Sequence, residues 1–185
     1  MRLQAQPQEL WIKRAWWDIV AYTGIQVGRS GELLQLPPPC FMFIGEYRHT
    51  FDAKNRISLP AKFRKELGAS IIVTRGLDHC LFIYPKASWK KEAARISEHS
   101  TGSKAGRGLS RLMLAGASET DVDSAGRILV PDYLRSFAGL SVKTVIAGVS
   151  DRIELWDEQA WETYTKDIER DADEFAEKLG NQGVL

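Results

Sequence analysis

The chain is short of the residues from which most chemical machinery is built. Its 185 residues include two cysteines, Cys40 and Cys80, and three histidines, His49, His79 and His99. Two cysteines outside any C-x-x-C pair exclude a disulfide framework and imply a reducing compartment. The scattered histidines have no metal-ligand spacing. There is no Gly-x-Ser-x-Gly, no phosphate-binding loop and no dinucleotide fingerprint. Asp52 and Asp123 are the single candidate acid/base pair, and each is better explained by its own turn. An enzyme is therefore not expected, nor is a cofactor or a metal. Long hydrophobic runs are missing too: Ala15 to Val27 is too short to span a membrane and contains Asp18. Lys13-Arg14 stands before that run as in a secretory leader, but no small-x-small cleavage site follows.

Net charge is nearly absent, at +1, but it is unevenly placed. From Met42 to Ala115 there are 14 Lys/Arg against 6 Asp/Glu, whereas Gly116 to Leu185 has 7 against 15. A basic half followed by an acidic half suggests an anionic partner for the first, or head-to-tail contact between chains.

What the chain does have is one motif written twice. Asp52-Ala-Lys-Asn-Arg56-Ile-Ser-Leu-Pro60, with Arg64 four residues on, returns as Asp123-Ser-Ala-Gly-Arg127-Ile-Leu-Val-Pro131 with Arg135. The offset is 71, and it also carries Gly68 onto Gly139. After a slip to 72, Val73–Gly76 matches Val145–Gly148, Leu81–Tyr84 matches Ile153–Trp156, and Trp89 matches Trp161. Two copies are too few for a solenoid and predict a pseudo-symmetric pair sharing one core. The division expected is an extension at 1–41, a first repeat at 46–88, a helix and linker at 89–116, a second repeat at 117–160, and a C-terminal helix and tail at 161–185.

Each copy reads as strand, Asp-led turn, short strand, Pro-led helix, Gly stop and a strand pair. Pro60 and Pro131 are expected at the first helical position. Residues 97–108 suggest a mobile connector, with a short helix possible over Arg107 to Leu114. Trp161, Tyr164, Ile168, Ala172, Phe175 and Leu179 step by three and four, which predicts one buried helical face.

Asp followed four residues later by Arg suits a tight turn. The carboxylate accepts from backbone N–H groups of the turn, and the Arg heads the next strand. Asp52, Asp123 and Arg127 are read as turn residues, with Arg56 and Arg127 also able to pair with the aspartates. Lys54, Arg56, Lys62, Arg64 and Lys65 crowd into a dozen residues of the first copy, a density suited to phosphate contacts. Arg can also bind guanine edges with two parallel bonds. Lys54, Arg56, Lys62 and Arg64, with Arg48 on the preceding strand, are the candidate DNA contacts.

Met42-Phe-Ile-Gly-Glu-Tyr, the Asp-Lys-Arg turn, Ser58-Leu-Pro60, Arg111-Leu-Met-Leu, Asp123-Ser-Ala-Gly-Arg127-Ile, Ile153-Glu-Leu-Trp156 and Trp161 together resemble the MraZ family, over Met42 to about Leu179. The resemblance implies a mostly β, α+β fold of two AbrB-like swapped-hairpin half-domains, expected as one closed pseudo-two-fold barrel with flanking helices. It further implies a cytoplasmic, nucleoid-associated transcriptional regulator that binds double-stranded promoter DNA ahead of its own division and cell-wall genes. The target implied is short G-rich direct repeats, the contacting arginine is Arg56, and the assembly is a ring-like homo-oligomer. A ring-forming scaffold without DNA specificity is the alternative.

Family members usually begin at the residue matching Met42, so residues 1–41 have two readings. Trp16-Trp17-Asp18 must be encoded with GTGGG, and Val27-Gly28 and Ser30-Gly31 permit two more such elements about 10 base pairs apart, one helical turn. That favours promoter DNA read through from a misplaced start. Pro37-Pro-Pro-Cys-Phe41 cannot encode a purine-rich ribosome site, which favours a translated extension.

Overall fold

The computed structural model describes residues 25–27, 33–35 and 42–181. The chain divides into two units, Met1–Phe41 and Met42–Leu185. In the first, strands β1 (Ile25–Val27) and β2 (Leu33–Gln35) pair antiparallel. Everything else expected of residues 1–41 lies outside the described residues.

The second unit opens with β3 (Phe43–Thr50), which the Asp52 turn joins to β4 (Arg56–Ser58). Helix α1 (Ala61–Leu67) and strands β5 (Ser70–Arg75) and β6 (Leu81–Pro85) complete the first copy. Two helices follow, α2 (Lys86–Glu98) and α3 (Lys104–Met113). The second copy supplies β7 (Ser118–Asp121), β8 (Arg127–Leu129), α4 (Asp132–Phe137), β9 (Lys143–Ser150) and β10 (Arg152–Asp157). Helix α5 (Glu158–Asn181) ends the described chain.

The proline-led helices form, with one adjustment. Pro60 and Pro131 stand one residue before α1 and α4, where their carbonyls accept the first helical bonds from Phe63 and Leu134. Gly68 and Gly139 leave these helices at φ 79 and 58, a conformation that costs glycine nothing. The connector is largely helical: α2 runs to Glu98, and the Ser103 hydroxyl caps α3 by accepting from the Gly106 N–H at 2.9 Å.

The expected closed barrel is not what forms. Six antiparallel strands make one open sheet in the order β3-β9-β10-β6-β5-β7, and β4 pairs β8 in a separate ribbon. The order explains why. The leading strand of each copy is taken up by the other copy, β3 by β9 and β7 by β5, and so becomes a sheet edge. The three-residue β4 and β8 pair with each other.

Exchange of the two copies maps this order onto itself. The pseudo-two-fold axis passes between Ile57 and its counterpart Ile128 in the ribbon, and between Phe82 and its counterpart Glu154 in the sheet. Pairing also corrects the sequence match. His49 faces Thr144, and its counterpart Thr120 faces Ile71, so Ile71 answers to Thr144 at an offset of 73. The second copy spends two extra residues after Gly139, and a one-residue error here would exchange the two faces of the strand.

Alternation along the central strands sends apolar residues to both sides. Ile71, Val73, Leu81, Ile83, Ile153 and Leu155 are fully or almost fully buried. On the opposite face Phe82, Tyr84, Val145 and Trp156 pack with Ile96 of α2, Met113 of α3 and Trp161 and Tyr164 of α5. The sheet is thus covered twice, which a chain of this size can supply.

The apolar stripe of α5 is buried only at its start. Trp161 and Tyr164 lie against Trp156, with ring centroids 5.4 and 4.8 Å away. Ile168, Phe175 and Leu179 are 38 to 40% exposed, and no residue of the helix is fully buried. A 24-residue helix is about 36 Å long, and it outruns the sheet that covers its first turns.

Candidate nucleic-acid interface

The two motif turns are built alike. Asp52 Oδ1 accepts from the backbone N–H of Lys54 at 2.8 Å and of Arg56 at 3.0 Å, while Oδ2 takes Arg56 Nε at 2.8 Å and Nη2 at 2.7 Å. Asp123 repeats the set, with Ala125 and Arg127 N–H at 2.9 and 2.8 Å and the Arg127 fork at 2.9 Å twice. The fourth turn residue has a left-handed backbone in both, φ 58 at Asn55 and φ 75 at Gly126. Each turn is also locked by the other copy. The Asn55 carbonyl accepts from Val130 N–H, and the Gly126 carbonyl from Leu59 N–H.

The matched arginines of the helices reach across in the same way. Arg64 donates from Nε to the Leu59 carbonyl at 2.7 Å, and its guanidinium lies where a Cβ on Gly126 would stand. Arg135 donates to Asn55 Oδ1 and sits 4.5 Å from the centre of the Phe51 ring.

The backbone N–H bond from Arg56, and after it the bond from the Arg56 guanidinium, bring the Asp52 carboxyl down to about 2. Asp123 is lowered as well, mainly by the Arg127 N–H. A folded pKa below the unfolded value, about 3.9, means stability that is present above it and is lost as pH falls through about 2. Unfolding midpoints in denaturant, followed from about pH 5 downward, should fall more steeply for the wild type than for Asp52→Asn. The two should converge at the acid end; a constant gap would contradict this account.

Geometry is shared by the two copies, but charge is not: Lys54 stands in the first turn itself, whereas Lys62 and Lys65 are carried by α1, whose Arg64 packs at Gly126 of the second turn. The first-copy positions held by Lys54, Lys62 and Lys65 are Ala125, Tyr133 and Ser136 in the second. Lys54 and Lys62 are exposed, and Arg56 keeps 31% of its side chain in solvent although its fork grips Asp52. Arg64 is half-buried and braces the second turn. Arg48 stands apart from this group, on β3, ion-paired to Glu46 at 3.0 Å and Glu158 at 3.5 Å. It lines a shallow cleft of about 310 Å³ with His49, Thr50, Lys143 and Glu158.

Lys143 escapes the sequence analysis because it belongs to the acidic half. Strand exchange sets it opposite Thr50, two residues before Asp52, with 73% of its side chain exposed. No local signal marks it; only the β3–β9 register does.

Among the described residues no group of three His, Cys, Asp or Glu side chains could hold a metal ion, and no helix is long and apolar enough to cross a membrane. Burial pushes the Cys80 thiol well above its ordinary range, so it is a core residue.

Comparison with known proteins follows the internal repeat. The family described as "MraZ protein, putative antitoxin-like" matches residues 42–112 and again 113–181. The "Transcriptional regulator MraZ" of Carboxydothermus hydrogenoformans is 44% identical over 138 residues, covering 75% of this chain and 96% of that protein. Its namesake in Acetivibrio thermocellus is 44% identical over 143 residues, 77% of this chain and all of that protein. With both copies matched and most of its length covered, the chain belongs to the MraZ family.

Proposed function

We propose that this protein is a sequence-specific regulator of transcription that binds double-stranded DNA in the promoter of its own division and cell-wall operon, at short G-rich direct repeats. The observation that carries the reading is that the two copies share one turn geometry but not one charge: the first copy carries Lys54, Lys62 and Lys65 where the second has Ala125, Tyr133 and Ser136. The name shared by the relatives supports it. Arg56 reads guanine or phosphate, Lys54, Lys62 and Arg48 neutralise backbone phosphates, and Arg64 adds charge while bracing the fold. The repeats at 46–88 and 117–160 act as two half-domains of one body, joined by 89–116, with 161–185 as a C-terminal helix and tail and 1–41 as an extension. The protein works in the cytoplasm, at the nucleoid, without a cofactor.

Self-assembly belongs to the same proposal. A basic half and an acidic half on one chain favour head-to-tail contacts, which repeat until a ring closes. A ring offers several Arg56 turns to tandem repeats, and each weak contact gains from high effective concentration. Duplexes with one, two and three repeats should therefore bind with steeply rising affinity at matched salt. Equal affinity for all three would overturn the ring reading, and no retardation of any promoter fragment would leave an interaction scaffold instead.

A further inference from the structure

The far half of α5 and the outer face of α3 match each other, yet among the described residues no ion pair joins them. Beyond Tyr164, α5 exposes Ile168, Ala172, Phe175 and Leu179 as a single stripe. Glu169, Asp173 and Glu177 run beside it at i, i+4 and i+8. Among the described residues none of these three acids is in an ion pair, whereas Asp167, Asp171 and Glu174 are satisfied by Arg170 and Lys178 on their own helix. The free acids span about 12 Å of helix.

Helix α3 turns Ser110 and Met113 inward and presents Lys104, Arg107 and Arg111 outward, at i, i+3 and i+7 over about 10 Å. Among the described residues none of these cations is in an ion pair either. Between them lies Gly108, where an added Cβ would meet nothing within 4 Å. This chain's own packing therefore makes no use of that glycine, which costs an interior helix position stability. It leaves a flat spot where another helix can approach, and the 40% exposed Leu109 stands at its margin.

We propose that the C-terminal half of α5 docks on α3 of a second copy of this chain, seating its apolar stripe over Gly108 and Leu109 and its free acid row against Lys104, Arg107 and Arg111. The occupant is another copy because the complementary charges are both present on this sequence. A second α5 would set acid rows against each other. The contact is heterologous, so it propagates head to tail. It specifies the surface for the self-assembly proposed above and rests on that reading.

Light scattering on the full chain tests it. Phe175→Asp/Leu179→Asp and Arg107→Glu/Arg111→Glu should each reduce the solution mass to that of the monomer with an unchanged circular dichroism spectrum, since none of these residues is in the core. Adding Asp173→Lys/Glu177→Lys to the α3 reversal should restore assembly, because the charges are then exchanged rather than lost. If the α3 reversal leaves the mass unchanged while the α5 change lowers it, α5 docks elsewhere and the inference fails while the ring reading stands. A monomeric wild type would defeat both, and DNA retardation measured alongside would still report on the regulator reading by itself.

Discussion

Arg56→Ala is expected to abolish promoter binding while leaving the protein folded, and Arg127→Ala to do much less. The structure sharpens the comparison, because the two arginines hold equivalent aspartates with equivalent forks and are 31 and 34% exposed. Each substitution removes the same half-buried ion pair from the same kind of turn, so the two variants lose matched contacts. Any difference in binding then reports the surroundings rather than the turn. A lost phosphate contact should lower the salt slope by about one unit, and a lost guanine contact should cost on the order of 1–3 kcal/mol. The grip on Asp52 occupies Nε and one hydrogen of Nη2, so DNA must be met by the outer edge of the guanidinium or must compete for the fork. Arg56→Lys would keep the charge and lose the fork, and should retain non-specific binding better than specific binding. Equal loss of affinity in the Arg56 and Arg127 variants at matched salt would show that the binding surface is assigned wrongly.

The second large effect concerns separation of the halves. Residues 42–96 expressed alone should not form a cooperatively melting monomer. In that fragment β3 loses β9, along all eight of its residues, and β4 loses β8. Beyond the single Phe51–Ile57 bridge across the Asp52 turn, what remains paired is the β5–β6 hairpin, and an isolated hairpin is marginal in water. The fragment would also expose Phe63, Leu81 and Ile83, all at 1% exposure or less in the whole chain. It should aggregate or pair with a second fragment. A monomer with a sharp thermal transition would mean that the exchanged strands contribute little.

These two expectations draw on different kinds of information in the sequence. The turns, the capping prolines and the glycine stops were legible because each is decided within about four residues, and writing them twice removed the chance of coincidence. Which strand meets which was not legible. Nothing within β3 names β9 as its partner, and the extra residues between Gly139 and Lys143 shift the match by one more position than the sequence comparison shows. The open sheet follows from that pairing, which leaves β3 and β7 as its two edges in place of a closed barrel. The stripe on α5 is legible as a periodicity, but a period identifies a face without saying what covers it, and beyond Tyr164 this face stays exposed. Lys143 lay beyond reach for a simpler reason: it joins the first turn only in space.

The axis pair Phe82 and Glu154 bears on how such a chain could have arisen. At that point a protein made of two identical halves must meet itself, Phe against Phe or Glu against Glu. Two facing carboxylates in a site this enclosed would repel, and one would have to take up a proton. Here Glu154, 9% accessible, has no twin opposite: it accepts from Arg152 at 2.8 Å and from the Trp156 indole at 3.1 Å, while the Arg152 guanidinium lies 4.6 Å from the centre of the Phe82 ring. Joining the halves in one chain frees the centre of the molecule from self-complementarity. Within one chain each half can carry residues that a homodimer would have to keep compatible with their own copies, and Lys54, Lys62 and Lys65, present in the first copy alone, are of that kind.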